Sequence, residues 1–131
     1  METVDIIEVP SRMEWVNTRI RVQSGESLRF NANGTWFDAV IPCSADGYPA
    51  SCFYALKLRP RIPDGGRYFR LMGRIVTSGV EPVLDDQAET FPIGARSERQ
   101  ATSSGVLFVF ANDRIGYYWN NWGMVTLTVS R

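Results

Sequence analysis

The sequence predicts an all-β protein, an antiparallel β-sandwich, and three observations carry the prediction. Apolar residues recur with period two, at Val16, Thr18, Ile20 and Val22 and again at Val125, Leu127 and Val129, the mark of strands buried on one face. No segment sustains the 3.6-residue period of an amphipathic helix. Turn residues separate the runs at short intervals, as in sandwiches. A chain of 131 residues can bury a core without staples, so 1–131 is read as one domain.

Taken in order, Val16–Val22 alternates apolar with Asn17, Arg19 and Arg21, and Ser24-Gly25-Glu26 is a turn. Leu28, Phe30 and Ala32 alternate again, so the two runs are expected to form a hairpin. Asn33-Gly34 is expected to end the second strand, with Trp36 and Phe37 directly after it. Residues 38–67 carry four prolines and three glycines, which forbid a long helix. Ala55–Leu58 reads as a short strand inside that region, and a long irregular segment in a compact domain is usually functional or packed over a site. Tyr68–Val76 is a strand in which Gly73 marks a bulge or a close approach. Glu81–Glu89 is an acidic, solvated loop, and Phe91–Gly94 a short strand or corner. Gly105–Ala111 (GVLFVFA) is apolar on both faces, hence a central strand. Met124–Val129 places Val125, Leu127 and Val129 inward.

Composition removes several function classes. Fourteen basic side chains balance fourteen acidic ones, and the arginines are scattered singly, so no basic patch points to nucleic acid. The longest apolar runs fall far short of the roughly 20 residues of a membrane span. The N-terminal segment METVDIIEVP lacks the basic and long apolar regions of a signal peptide. A cytoplasmic location is expected, with export by a route that leaves no mark in the sequence open. There is no histidine, which excludes Ser-His-Asp and Cys-His catalysis and argues against a zinc hydrolase. Cys43 and Cys52 are read as two free thiols.

The chemistry concentrates near the end, where Asn112-Asp113-Arg114 and Tyr117-Tyr118-Trp119-Asn120-Asn121-Trp122-Gly123 lie between two strand-like runs. Asp113, Asn120 and Asn121 offer side-chain oxygens that one loop could bring to a point, as a hard cation such as calcium needs. The plain alternative is a hairpin turn in which Asn and Asp adopt left-handed geometry. The loop is longer than a hairpin requires, and it carries aromatic side chains suited to a sugar face or a partner surface. Asn33–Asp38 is a second element: Trp36 and Phe37 are core plugs with Asp38 capping a turn, or Asp38 or a nearby carbonyl completes an oxygen shell. Asp46, Asp64, Asp85, Asp86 and Glu89 show no spacing that pairs two of them as a glycosidase requires.

These residues resemble a family. Phe91-Pro92-Ile93-Gly94, Ser104–Phe110 running into Asn112-Asp113, Asn120-Asn121-x-Gly123 and the final alternating strand look like the PA-IL-type galactophilic lectins, calcium-dependent galactose-binding proteins of bacteria. Ser24-Gly25-Glu26, Leu28-Arg29-Phe30, Gly34-x-Trp36 and Leu71–Ile75 agree in order. The resemblance spans Trp15–Arg131 and is specific over Ser104–Gly123. It implies a galactose-binding-domain-like, jelly-roll sandwich without enzymatic activity. Calcium would be held by the side chains of Asp113, Asn120 and Asn121, by a carbonyl falling on Tyr117, and by another falling near Asp38. Asp113, Asn120 and Arg114 would contact a galactoside or other glycan, and Trp119 and Trp122 flank the asparagine pair as further ligand candidates. The chain departs from the family in having no histidine, where the family's sugar site uses a His and a Gln, and in having Arg114 where a small apolar residue is usual. The family's tendency toward tetramers leaves a homo-oligomer open. A structural or protein-interaction sandwich, with calcium structural or absent, is the alternative.

Overall fold

The structure, a computed structural model, describes residues 2–49, 59–83 and 89–131. It is a sandwich of two antiparallel sheets, as the period-two pattern predicts. The first sheet sets β10 (Asn121–Ser130) between β1 (Val4–Pro10) and β3 (Ser27–Asp38). The far edge of β3 is shared by β8 (Arg96–Gln100) along its first half and β4 (Ile41–Cys43) along its last. The second sheet sets β9 (Gly105–Ala111) between β2 (Val16–Val22) and β6 (Arg67–Val76). Short strands β5 (Asp46–Pro49) and β7 (Phe91–Pro92) share the other edge of β6. Among the described residues no helix is long and apolar enough to cross a membrane.

The alternation does what it predicts at the level of faces. Val16, Thr18, Ile20 and Val22 are buried while the residues between them are exposed, and Leu28, Phe30, Ala32, Val125, Leu127 and Val129 are buried in the main core. Trp36 fills the centre of that core. It is fully enclosed, edge-on to Phe69 across the sandwich, and its indole N–H donates to the Val9 carbonyl at 2.8 Å. Gly73 also reads correctly as a close approach: a Cβ there would stand 2.8 Å from Ile93 Cδ1 and 2.9 Å from Phe91 Cε2. The double-sided apolar pattern of β9 has a physical counterpart on each face. Leu107, Val109 and Ala111 enter the core between the sheets, whereas Val106, Phe108 and Phe110 form a second cluster outside, with Trp15, Met72 and Val76.

Two pairings differ from expectation. β2 and β3 are not a hairpin, because β2 pairs with β9 and β3 with β10, in opposite sheets. Likewise β9 and β10 lie in different sheets, so 112–120 is a crossover and not a hairpin turn. The reason is common to both. Period two fixes which side chains face inward, but two facing sheets present equivalent inner faces, so the pattern cannot choose the partner strand. Gly34 does not end β3, which runs on to Asp38. Cys43 is a free thiol; Cys52, the expected strand at Ala55–Leu58, Asp85 and Asp86 lie outside the described residues.

Candidate functional site

The crossover from β9 to β10 opens on Asn112 and Asp113, both buried. Asn112 is a clamp: its carboxamide accepts from the Ile62 N–H at 3.1 Å and donates to the Ile62 carbonyl at 2.8 Å. The Arg61 N–H donates to the Asp113 carbonyl at 2.9 Å. Segment 59–62 is thereby fixed against the loop, and the Arg61 guanidinium is buried 3.3 Å from the Phe110 ring centroid and 4.6 Å from that of Trp15. A 3-10 turn over Tyr118–Asn120 then leads into β10. The buried Tyr118 hydroxyl donates to the Ala111 carbonyl and accepts from the Asp113 N–H, bracing the loop internally.

Asp113 and Asn121 meet across this loop. The Asn121 amide donates to Asp113 Oδ2 at 2.9 Å and to the Ser11 carbonyl at 3.0 Å, while Asp113 Oδ1 accepts from the Arg114 N–H at 2.7 Å. Both amide protons of Asn121 are thus engaged, and its Oδ1 is buried with no hydrogen-bond partner among the described residues. Asn120 Oδ1 is in the same state. Two adjacent carboxamide oxygens, buried and unmatched, are costly in a native structure. They are the donors a hard cation takes.

Pairing in the first sheet brings the other element to the same place. Asn121 stands opposite Asp38 in the β3–β10 ladder, and Asp38 Oδ2 accepts from the Tyr48 hydroxyl. Asp38, Asp113, Arg114, Tyr117 and Asn120 all line one cleft of about 200 Å³, walled by Tyr48, Tyr68 and Val40. The structure therefore assembles five of the eight sequence-selected site residues in one cleft. Asn121 adjoins it through its bond to Asp113. Trp119 and Trp122 do not line it. Trp119 is exposed on the 3-10 turn, and Trp122 stacks on Phe37, centroids 3.8 Å apart and planes within 4°, with its indole N–H on the Ala39 carbonyl.

Burial raises the Asp113 carboxyl to about 7, against the hydrogen bonds from Asn121 and the Arg114 N–H; the Asp38 charge adds to the rise and Arg61 opposes it. Burial and the bond to Asp38 hold the Tyr48 hydroxyl protonated. Burial likewise lowers the Arg61 guanidinium, and pushes the Cys43 thiol to about 12, with the Asp38 charge contributing. Among the described residues no three His, Cys, Asp or Glu side chains converge on a point, so the cleft lacks the donors a zinc or thiolate site uses. Its donors are carboxylate, carboxamide and carbonyl oxygen.

Tyr48, Tyr68, Tyr118, Ser11 and Arg61 support the site and were not selected from the sequence. They come from β5, β6, the crossover and two distant segments, and a lone Tyr, Ser or Arg carries no pattern. Only Asn112, adjacent to Asp113, carried a local signal.

The fold is a two-sheet antiparallel β-sandwich in which 112–120 crosses from one sheet to the other. Among solved structures the chain is similar to one described as "EclA N-terminal domain; PllA-like lectin", with a TM-score of 0.66 at 20% identity, over 95% of this chain and 92% of that one. No family model matches the sequence, and no curated protein matches it. The likeness carries the fold; it names a PllA-like lectin where the sequence suggested the PA-IL type.

Proposed function

We propose that the protein is a non-enzymatic, calcium-dependent carbohydrate-binding protein that takes galactose or a related sugar in the cleft over Asp113. The observation that carries this reading is the buried Asp113 carboxylate beside the unmatched oxygens of Asn120 and Asn121. A buried carboxylate with no full counter-charge is costly, and a divalent cation offsets that cost. Asp113, Asn120 and Asn121 would hold the ion with backbone carbonyls, those of Tyr117 and Asp38 being the candidates on the cleft wall. A calcium ion takes roughly 6–8 oxygens, more than these supply, so adjacent hydroxyls of a sugar fit the remainder. The lectin-like fold agrees with a carbohydrate partner, and weak single sites of this kind become useful when several copies associate.

Hydrolysis is the competing chemistry for two carboxylates in one cleft. The hydrogen bonding is against it. Both Asp113 oxygens accept from N–H donors and Asp38 Oδ2 accepts from the Tyr48 hydroxyl, so both carboxyls are engaged in holding the protein's own groups.

Thermal melting with calcium and then with chelator tests the metal, since a ligand of the native state raises the melting temperature. The expected result is a rise with calcium, lost in Asp113→Ala, and a further rise with galactose only when calcium is present. No response to calcium refutes the proposal. A response to calcium with no glycan bound on an array favours the structural alternative.

A further inference from the structure

The cleft carries its charges in two layers. At the floor are two carboxylates, Asp113, buried, and Asp38, half-buried and held by the Tyr48 hydroxyl. At the rim is Arg114, which lines the cleft with its guanidinium 5.0 Å from the Tyr117 ring centroid. Arg59, exposed on the clamped segment, acts on the same space: the Tyr68 phenol in the cleft wall feels the positive charges of Arg114 and Arg59 as well as the negative charges of both acids. A divalent cation at the floor balances the two carboxylates. Among the described residues the two arginines then add positive charge near the mouth, and a cleft with low-dielectric walls focuses such a field.

We infer that the preferred ligand is an acidic glycan, one whose sugar ring bears a carboxylate, and that Arg114 reads the carboxylate while the ring hydroxyls face the metal. This rests on the calcium-dependent sugar site proposed above. A guanidinium presents a planar fork of N–H donors that matches a carboxylate. The Tyr117 ring, 5.0 Å from the Arg114 guanidinium carbon, helps hold that group at the cleft. A neutral sugar has no group that uses this match.

Calorimetric titration of the calcium-loaded full chain with three probes tests the inference: methyl galactoside, galacturonate, and the methyl ester of galacturonate, which keeps the shape and loses the charge. Galacturonate is expected to bind about tenfold more tightly than either neutral probe at low salt, the size of one charge-assisted hydrogen-bonded pair. That advantage should shrink several-fold in about 0.5 M salt, where exposed charges are screened. Arg114→Met should bring the ratio of galacturonate to ester affinity close to one, and Arg59→Met should lower it in part; melting temperatures check that both variants fold. Equal binding of charged and neutral probes overturns the acidic preference and leaves calcium-dependent sugar binding intact. Binding of no probe in calcium overturns both. A charge preference that survives in Arg114→Met places the carboxylate on the metal instead, and overturns the role given to the arginine.

Discussion

The Asn121 amide donates to Asp113 Oδ2 at 2.9 Å, so the two ends of the crossover between the sheets are joined by one buried hydrogen bond. The same amide holds the Ser11 carbonyl at 3.0 Å, tying in the segment after β1. Asn121→Ala deletes the donor to both and leaves two buried acceptors unmatched. A loss of about 2–4 kcal/mol is expected, because an unmade buried hydrogen bond costs desolvation in full. Urea denaturation in chelator measures it; a loss under about 1 kcal/mol would mean that water replaces the amide.

The raised Asp113 carboxyl makes the metal-free protein sensitive to pH in an unusual direction. Its folded value, about 7 against 3.8 for the ordinary side chain, means that the native state holds a proton the unfolded chain has released. The native state binds more protons than the unfolded state between about pH 4 and pH 7, so stability falls as pH rises through that window. Each unit corresponds to about 1.4 kcal/mol, hence a change of a few kcal/mol. Calcium binds the ionised carboxylate and so releases the Asp113 proton below about pH 7, which should offset the fall in stability within that window. Melting temperatures from pH 4.5 to 8, with and without calcium, check the sign. A flat profile in Asp113→Asn identifies the group.

Gly34 and Gly123 let β3 and β10 approach at the turn of the ladder that ends on Asp38 and Asn121. Gly123 has φ +89°, and a Cβ there would lie 2.7 Å from the Thr35 carbonyl oxygen; Gly34, φ +128°, would place one 2.7 Å from the Met124 carbonyl oxygen. Gly123→Ala should destabilise the protein by about 1–3 kcal/mol through a strained backbone and weaken calcium binding, because the displaced strand ends carry the ligands. Unchanged calcium affinity at lowered stability would separate strain from the site.

Arg61 tests how the loop is supported from behind. Its guanidinium lies buried against Phe110 and Trp15, and Nη1 and Nη2 have no hydrogen-bond partner among the described residues. Replacing a buried charge by an apolar side chain of similar size is often neutral or stabilising, whereas truncation leaves a cavity. Arg61→Met should therefore change stability by less than about 1 kcal/mol, and Arg61→Ala should cost about 2–4 kcal/mol. The backbone bond from Arg61 to Asp113 survives in both. An Arg61→Met variant as unstable as Arg61→Ala would show that the charge itself holds the loop.

Part of the fold was legible because alternation is local. The inward residues of β2, β3 and β10 and the double burial of β9 follow from side-chain period alone. β1 was missed: Val4 and Ile6, at the sheet edge, are exposed, and an edge strand with acids at Asp5 and Glu8 shows no clean apolar face. In the site, Asp113, Asn120 and Asn121 were legible because three oxygen-bearing side chains fall within nine residues. The Tyr48 bond to Asp38 joins β5 to β3 across an edge that nothing local encodes.

By itself the sequence determined the secondary-structure class, the faces of the strands, and the oxygen-only donor set at the crossover, because these depend on residue type and on spacing along the chain. Only the tertiary structure decided which sheet each strand joins, and with it that 112–120 crosses between sheets. That crossing buries Asp113, leaves the Asn120 and Asn121 oxygens unmatched and sets Asp38 opposite Asn121. Burial and register depend on contacts between segments distant in sequence, and the unmatched oxygens exist only once water has been excluded from them.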